Sequence, residues 1–184
     1  MTTPRRRLAR IRETYWRPGI DLFRDGVLRI RGRAPIERPD LAHCFDMIGF
    51  SYYAAIGVHL GQPAIHPPDA PISPLGYGIW ADGLGIVLDE LHGELPGVPL
   101  LVAEYGSGTS DDDLRARYLT RGLEVTHQAI ARGVDVRGFF HWTAVDNYEW
   151  LHGYDVAFGI IDRDRKVRAS ARVLQRRARA ESRR

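Results

Sequence analysis

Three short apolar runs, each followed by an amphipathic or turn-rich stretch, constrain this chain more than any other feature. They span residues 46–53 (DMIGFSYY), 99–104 (PLLVAE) and 136–142 (VRGFFHW). Each is nearly continuous in apolar character, which suits parallel strands covered on both faces. Between the first two, Trp80, Leu84, Val87, Leu88, Leu91 and Leu95 recur at spacings of three and four. That spacing predicts a single apolar stripe on a helix, ended by Pro96 and Gly97. Ser110-Asp111-Asp112-Asp113 predicts an N-cap and an acidic first turn. Leu119, Leu123, Thr126 and Ile130 predict the buried face of the helix that follows, and Gly133 its C-terminal cap. A last helix is predicted over 170–180. The alternation is that of βα units, an α/β chain built as one domain over 1–184. Three strands are too few for a closed (β/α)8 barrel, so pattern alone leaves a small open sheet and part of a barrel both open.

At 184 residues, 44% hydrophobic and 27% charged, the chain is long enough to bury a core. The net charge of +3 is concentrated at the ends, in Arg5, Arg6, Arg7 and Arg10 and in Arg176, Arg177, Arg179, Arg183 and Arg184. Such clusters can bind nucleic acid. No aromatic or groove-reading motif accompanies them, so solvated helix faces and frayed ends are expected, with no nucleic-acid partner. Cys44 stands alone, which excludes a disulfide framework. It is expected to be inert packing among apolar neighbours, in a reducing, cytoplasmic setting. No apolar run reaches the roughly 18 residues of a membrane span, and no apolar stretch follows the basic start as in a secretory signal. Five prolines between His59 and Tyr77 predict a long loop, either functional or a surface connection.

Chemistry in α/β folds gathers where parallel strands end on their carboxyl side. Ser51, Tyr52 and Tyr53 close the first run, Glu104 the second, and His141 and Trp142 the third. A carboxylate closing an apolar strand is costly unless it is paired, solvated or used. Glu104 is therefore either a reactive group or a strand-end glutamate in a salt bridge. Residues 141–150 combine Trp142, Trp150, His141 and Tyr148 with Asp146, Asn147 and Glu149. Sugars need this mixture, because their C–H faces stack on rings while their hydroxyls bond to acids and indole N–H groups. A lone tryptophan would be read as core; the interleaved acids favour a pocket. The seven histidines show no metal-ligand spacing, and no phosphate loop, dinucleotide fingerprint or nucleophile elbow is present, so neither metal nor cofactor is expected.

In this order, the motifs resemble glycoside hydrolase family 1, the β-glucosidase family. Phe45-Asp46-Met47-Ile48-Gly49-Phe50-Ser51-Tyr52-Tyr53 is similar to the family's strand 6, which usually ends Asn-Tyr-Tyr. Val102-Ala103-Glu104-Tyr105-Gly106 is similar to strand 7, usually Thr-Glu-Asn-Gly. Gly133 to Trp142 resembles the approach to strand 8, and Asp146-Asn147-Tyr148-Glu149-Trp150 resembles its Asp-Asn-Phe-Glu-Trp, followed by Phe158-Gly159-Ile160. The likeness runs from about residue 15 to 177. It implies the C-terminal part of a (β/α)8 barrel, about strands 6–8 with their helices. It also implies a double displacement with two carboxylates about 5–5.5 Å apart. On this resemblance Glu104 is the nucleophile and Tyr53 its hydrogen-bond partner. Trp142 is the sugar platform, and Glu149 and Trp150 hold the outer hydroxyls.

The departures carry their own implications. Ser51, expected with Trp142, Glu149 and Trp150 among the substrate-binding residues, stands where asparagine is usual, and Tyr105 stands where asparagine follows the nucleophile; both departures point away from standard glucose specificity. The family's acid/base lies in an Asn-Glu-Pro motif on strand 4, and no Asn-Glu-Pro occurs here. The expectation is a retaining β-glycosidase fragment with the nucleophile half of the site and a β-glycoside or sugar as ligand. A second chain or copy could supply the missing half. The alternatives are a non-catalytic carbohydrate-binding remnant and a structural or nucleic-acid protein using its basic ends.

Overall fold

The structure, a computed structural model, describes residues 4–60 and 62–181. Two consecutive helices open it, α1 (Pro4–Tyr15) and α2 (Arg17–Asp25), joined at Trp16. A short hairpin, β1 (Val27–Leu28) with β2 (Ile36–Glu37), and one 3₁₀ turn at Pro39–Leu41 lead to β3 (Ile48–Tyr52). A second hairpin, β4 (Ala55–His59) and β5 (Gln62–His66), projects beyond it. Then follow α3 (Asp82–Glu94), β6 (Leu100–Tyr105), α4 (Asp112–Ala131), β7 (Val136–His141) and α5 (Ala171–Glu181).

The three predicted strands form one parallel sheet in the order β3-β6-β7. Leu100, Val102 and Tyr105 of the central strand are fully buried. They join one core with Leu84, Leu88 and Leu91 of α3 and Tyr118, Leu119, Val125 and Ala129 of α4. The apolar runs thus form strands because one face is sealed by helices. The other face is lightly built: Leu101 lies between Gly49 and Gly138. Ala103 is an extra residue in β6, since Phe50 pairs with Val102 but Ser51 pairs with Glu104. Such a bulge re-aims the side chain beside it. It leaves Tyr105 in the helix layer and Glu104 free to turn to the strand end.

The expected elements fall within a residue or two of those observed, and Asp111 is the N-cap of α4, accepting from Leu114 N at 2.9 Å. Several expectations need correction. Cys44 is exposed rather than packed. The proline-rich stretch is not all loop, because β5 runs through Pro63 in a two-stranded ribbon, where an outer edge tolerates a missing N–H. Ile130 is 42% exposed, and the buried stripe of α4 instead follows Arg115, Tyr118, Leu119, Gly122, Val125, Thr126 and Ala129. The N-terminal arginines sit largely on α1, where Arg6 and Arg10 are exposed, as are Arg176 and Arg179 of α5. Arg183 and Arg184 lie outside the described residues. No described helix is long and apolar enough to cross a membrane.

Candidate active site

Glu104, Tyr53 and Trp142 meet at the carboxyl end of the parallel sheet, where the three strands deliver them. The Tyr53 hydroxyl donates to Glu104 Oε2 at 2.6 Å. Burial first, and then the bond to Glu104, push the Tyr53 phenol well above the ordinary tyrosine value. Its hydroxyl proton therefore stays in place to donate. Among the described residues no cation pairs with Glu104, so the strand-end salt bridge is not what holds it. The loop leaving β6 passes close under Trp142; a Cβ at Gly106 would collide with the Trp142 carbonyl, which only glycine avoids.

Beside this pair lies a cavity of about 350 Å³ lined by Tyr53, Trp142, Glu149 and Trp150, with Leu75, Tyr77, Asn147, Tyr148 and Phe158. The volume lies at the small end of the range for ligand pockets. Asn147 Nδ2 donates to Glu149 Oε1 at 2.8 Å, and the Glu149 backbone bonds in both directions with Gly153, at 2.7 Å each. The Glu149 turn is therefore fixed while Trp150 stands at the rim, 91% exposed. Asp146 belongs to the scaffold instead. It accepts from Gly159 N and, bidentately, from Arg168 at 2.9 and 2.7 Å. Burial opposes its ionisation, but these bonds outweigh burial and lower its pKa. Ser51 is the register partner of Glu104, yet it borders a separate cavity with Trp16, Trp80 and Val87.

Behind the site, His141 presents Nδ1 to the Tyr105 carbonyl at 2.9 Å and Nε2 to the Phe158 carbonyl at 3.2 Å. Burial lowers its pKa to about 4 against the pull of the two carbonyls. Arg115, with no exposed surface, ties the loops together. It bonds Asp112 at 2.5 Å and the Ala157 carbonyl at 3.0 Å, and also the Thr109 carbonyl. Asp112 in turn accepts from Ser170 Oγ at 2.6 Å, so α4, both active-end loops and the start of α5 share one network. Among the described residues no group of three His, Cys, Asp or Glu side chains could hold a metal.

Sequence reasoning singled out Tyr53, Glu104, Trp142, Glu149 and Trp150, and these come together here; Ser51 comes beside Glu104 only through the strand pairing. Leu75 and Tyr77 had no chemistry-bearing pattern to mark them, and Phe158 was marked only as part of the Phe158-Gly159-Ile160 resemblance, without a role. Tyr77 closes the proline-rich segment, whose possible functional role was the one available signal.

Residues 36–182 match the model of glycosyl hydrolase family 1. A β-galactosidase of Sulfolobus acidocaldarius is 32% identical over 159 residues, covering 77% of this chain and 32% of the relative. A thermostable β-glucosidase B of Thermobispora bispora is 35% identical over 126 residues, covering 59% of this chain and 27% of the relative. The chain thus spans about a third of the length of these relatives. The β-glycosidase of Pyrococcus horikoshii superposes with a TM-score of 0.79 at 26% identity, over 91% of this chain and 41% of that one. The chain therefore belongs to glycosyl hydrolase family 1.

Proposed function

We propose that this chain carries the nucleophile half of a retaining β-glycosidase site, the part of the barrel formed by about strands 6–8. The observation that carries the reading is the 2.6 Å bond from Tyr53 to Glu104 at the end of a parallel sheet, beside an aromatic cavity. A Glu104 oxygen attacks the anomeric carbon, and the bond from that carbon to the leaving oxygen breaks. The leaving oxygen takes a proton from a general acid, and Glu104 becomes a glycosyl ester. Water then attacks the same carbon, gives its proton to the acid's conjugate base and releases the carboxylate. Tyr53 holds the attacking carboxylate in one orientation. Trp142 stacks on the sugar, and Glu149 and Trp150 bind its outer hydroxyls. On this reading Ser51, the register partner of Glu104 though it borders a separate cavity, is a further contact for a sugar hydroxyl.

The general acid, a group typically worth about 10²–10⁴-fold, belongs to the part of the family fold beyond these 184 residues, on the same chain or another. A test must therefore bypass it. From a 2-fluoro glucoside the dinitrophenolate leaving group departs without proton transfer, while the glycosyl group stays on the nucleophile. Intact mass is expected to rise by one glycosyl unit per chain, and the gain is expected to vanish in Glu104→Gln. No gain in the unmodified chain would overturn a self-sufficient nucleophile site. The exposed Trp150 beside a pinned Glu149 favours a second reading, sugar binding without turnover. A tryptophan fluorescence change with sugar that survives Glu104→Gln but disappears in Trp150→Ala would select it.

A further inference from the structure

Glu104 and Tyr105 are neighbours in β6 that face opposite layers, and a chain of tyrosines joins them the long way round. The Tyr105 hydroxyl donates to the Tyr118 carbonyl at 2.8 Å. The Tyr118 hydroxyl donates to the Tyr53 carbonyl at 3.0 Å, and the Tyr53 hydroxyl donates to Glu104 at 2.6 Å. The circuit starts and ends on adjacent residues. Tyr105 and Tyr118 stack at 4.4 Å between centroids with planes 9° apart, and Tyr52 also lies near-parallel to Tyr105, at 6.1 Å and 13°. Gly122 leaves the space that the Tyr105 ring fills.

We propose that Tyr118 is a positioning residue for Glu104: its hydroxyl fixes the Tyr53 backbone so that the Tyr53 phenol meets the carboxylate. The proposal rests on reading Glu104 as the nucleophile, and Tyr105, unusual after that glutamate, locks Tyr118 into the core. Tyr53 lies just past the end of β3, where the ladder no longer holds the backbone. A hydrogen bond from α4 replaces the ladder there. A functional group held by a packed and bonded supporting shell keeps its geometry; one on a free loop does not. Tyr52 belongs to the same stack but donates to the Trp80 carbonyl at 2.7 Å, so it separates packing from the hydroxyl's effect.

The test is a tyrosine titration of the full chain carrying ¹³Cζ-tyrosine, followed by NMR. In the unmodified chain Tyr53 is expected to stay un-ionised well beyond the ordinary tyrosine value of about 10. In Tyr118→Phe, which keeps the ring and the burial, the Tyr53 titration is expected to move down toward that value, because the bond to Glu104 loosens. In Tyr52→Phe it is expected to behave as in the unmodified chain. A Tyr53 titration in Tyr118→Phe unchanged from the unmodified chain, or an equal downward shift in Tyr52→Phe, would overturn the proposal. Should phenylalanine at 118 prevent folding, 3-fluorotyrosine at that position replaces it. Its ¹⁹F resonance is expected to move on Glu104→Gln, and a stationary resonance would sink the coupling. Trapping by the 2-fluoro glucoside supplies a separate arm, expected to slow on the order of tenfold in Tyr118→Phe. Trapping absent in the unmodified chain counts against a self-sufficient nucleophile site, while the titration still decides the role of Tyr118.

Discussion

A single histidine shows how the site's scaffold responds to pH. His141 faces two carbonyl oxygens, an arrangement that would suit an imidazolium, yet burial dominates and its pKa falls to about 4. The unfolded chain binds this proton more readily than the folded one. The stability that neutral His141 contributes is therefore complete above about pH 6.5 and is lost as pH falls toward 4, where the loss levels off. The expected loss is on the order of 3 kcal/mol. Urea unfolding at pH 7 and pH 4.5 checks it, with His141→Asn expected to flatten the difference. A ring that titrates near pH 6.5 by NMR would refute it. The site residues were legible where chemistry conflicted with local pattern, as with Glu104, a carboxylate at the end of an apolar run. Arg115 and Tyr118 were not, because their partners Ala157 and Tyr53 lie 42 and 65 positions away.

At the level of elements, α4 is the one whose residues connect most of the site. Its start follows from sequence: Asp111 accepts from Leu114 N, and loss of such a cap costs about 1 kcal/mol. Its buried face follows only in part. Leu119 and Thr126 are buried as the spacing indicates, but Leu123 is half-buried and Ile130 exposed, and Tyr118 and Gly122, which the spacing omits, receive Tyr105. A glycine inside a helix normally gains about 1 kcal/mol on replacement by alanine. At Gly122 the opposite sign is expected, because the new Cβ would overlap the Tyr105 ring and the stack would have to open. Overpacking of this kind costs about 1–3 kcal/mol. Urea denaturation of Gly122→Ala and Asp111→Ala checks both, and a more stable Gly122→Ala would mean that the stack yields easily. The strands themselves were legible because continuous apolar runs have few alternatives in an α/β chain. The β4–β5 hairpin was not, since Pro63 in β5 and the prolines that follow it read as loop.

For the molecule as a whole, the sheet is the unfinished part. Among the described residues β6 is paired on both sides, while β3 and β7 each pair on one side only. Next to β7 lies a groove of about 490 Å³ whose walls include Leu123, Ile130, Phe139, Phe140, Ile160 and Leu174. Phe140 is 57% exposed. Two of the four residues of α4 that the sequence assigned to a buried face, Leu123 and Ile130, line this groove, so their apolar character suits a neighbour beyond β7. Open strand edges with apolar flanks are templates for pairing with another chain. Expressed as these 184 residues, the protein is expected to self-associate at micromolar concentration through this side. Sedimentation velocity over a concentration series should show the mass rising with concentration. In Phe140→Lys the rise should be suppressed with the circular dichroism unchanged, because a charge on the strand blunts edge pairing. A monomer at every concentration would mean that the edge is protected without a partner. Association that persists in Phe140→Lys would place the contact elsewhere, with the free edge of β3 and the exposed Ile56 of the β4–β5 hairpin as the next surfaces to charge.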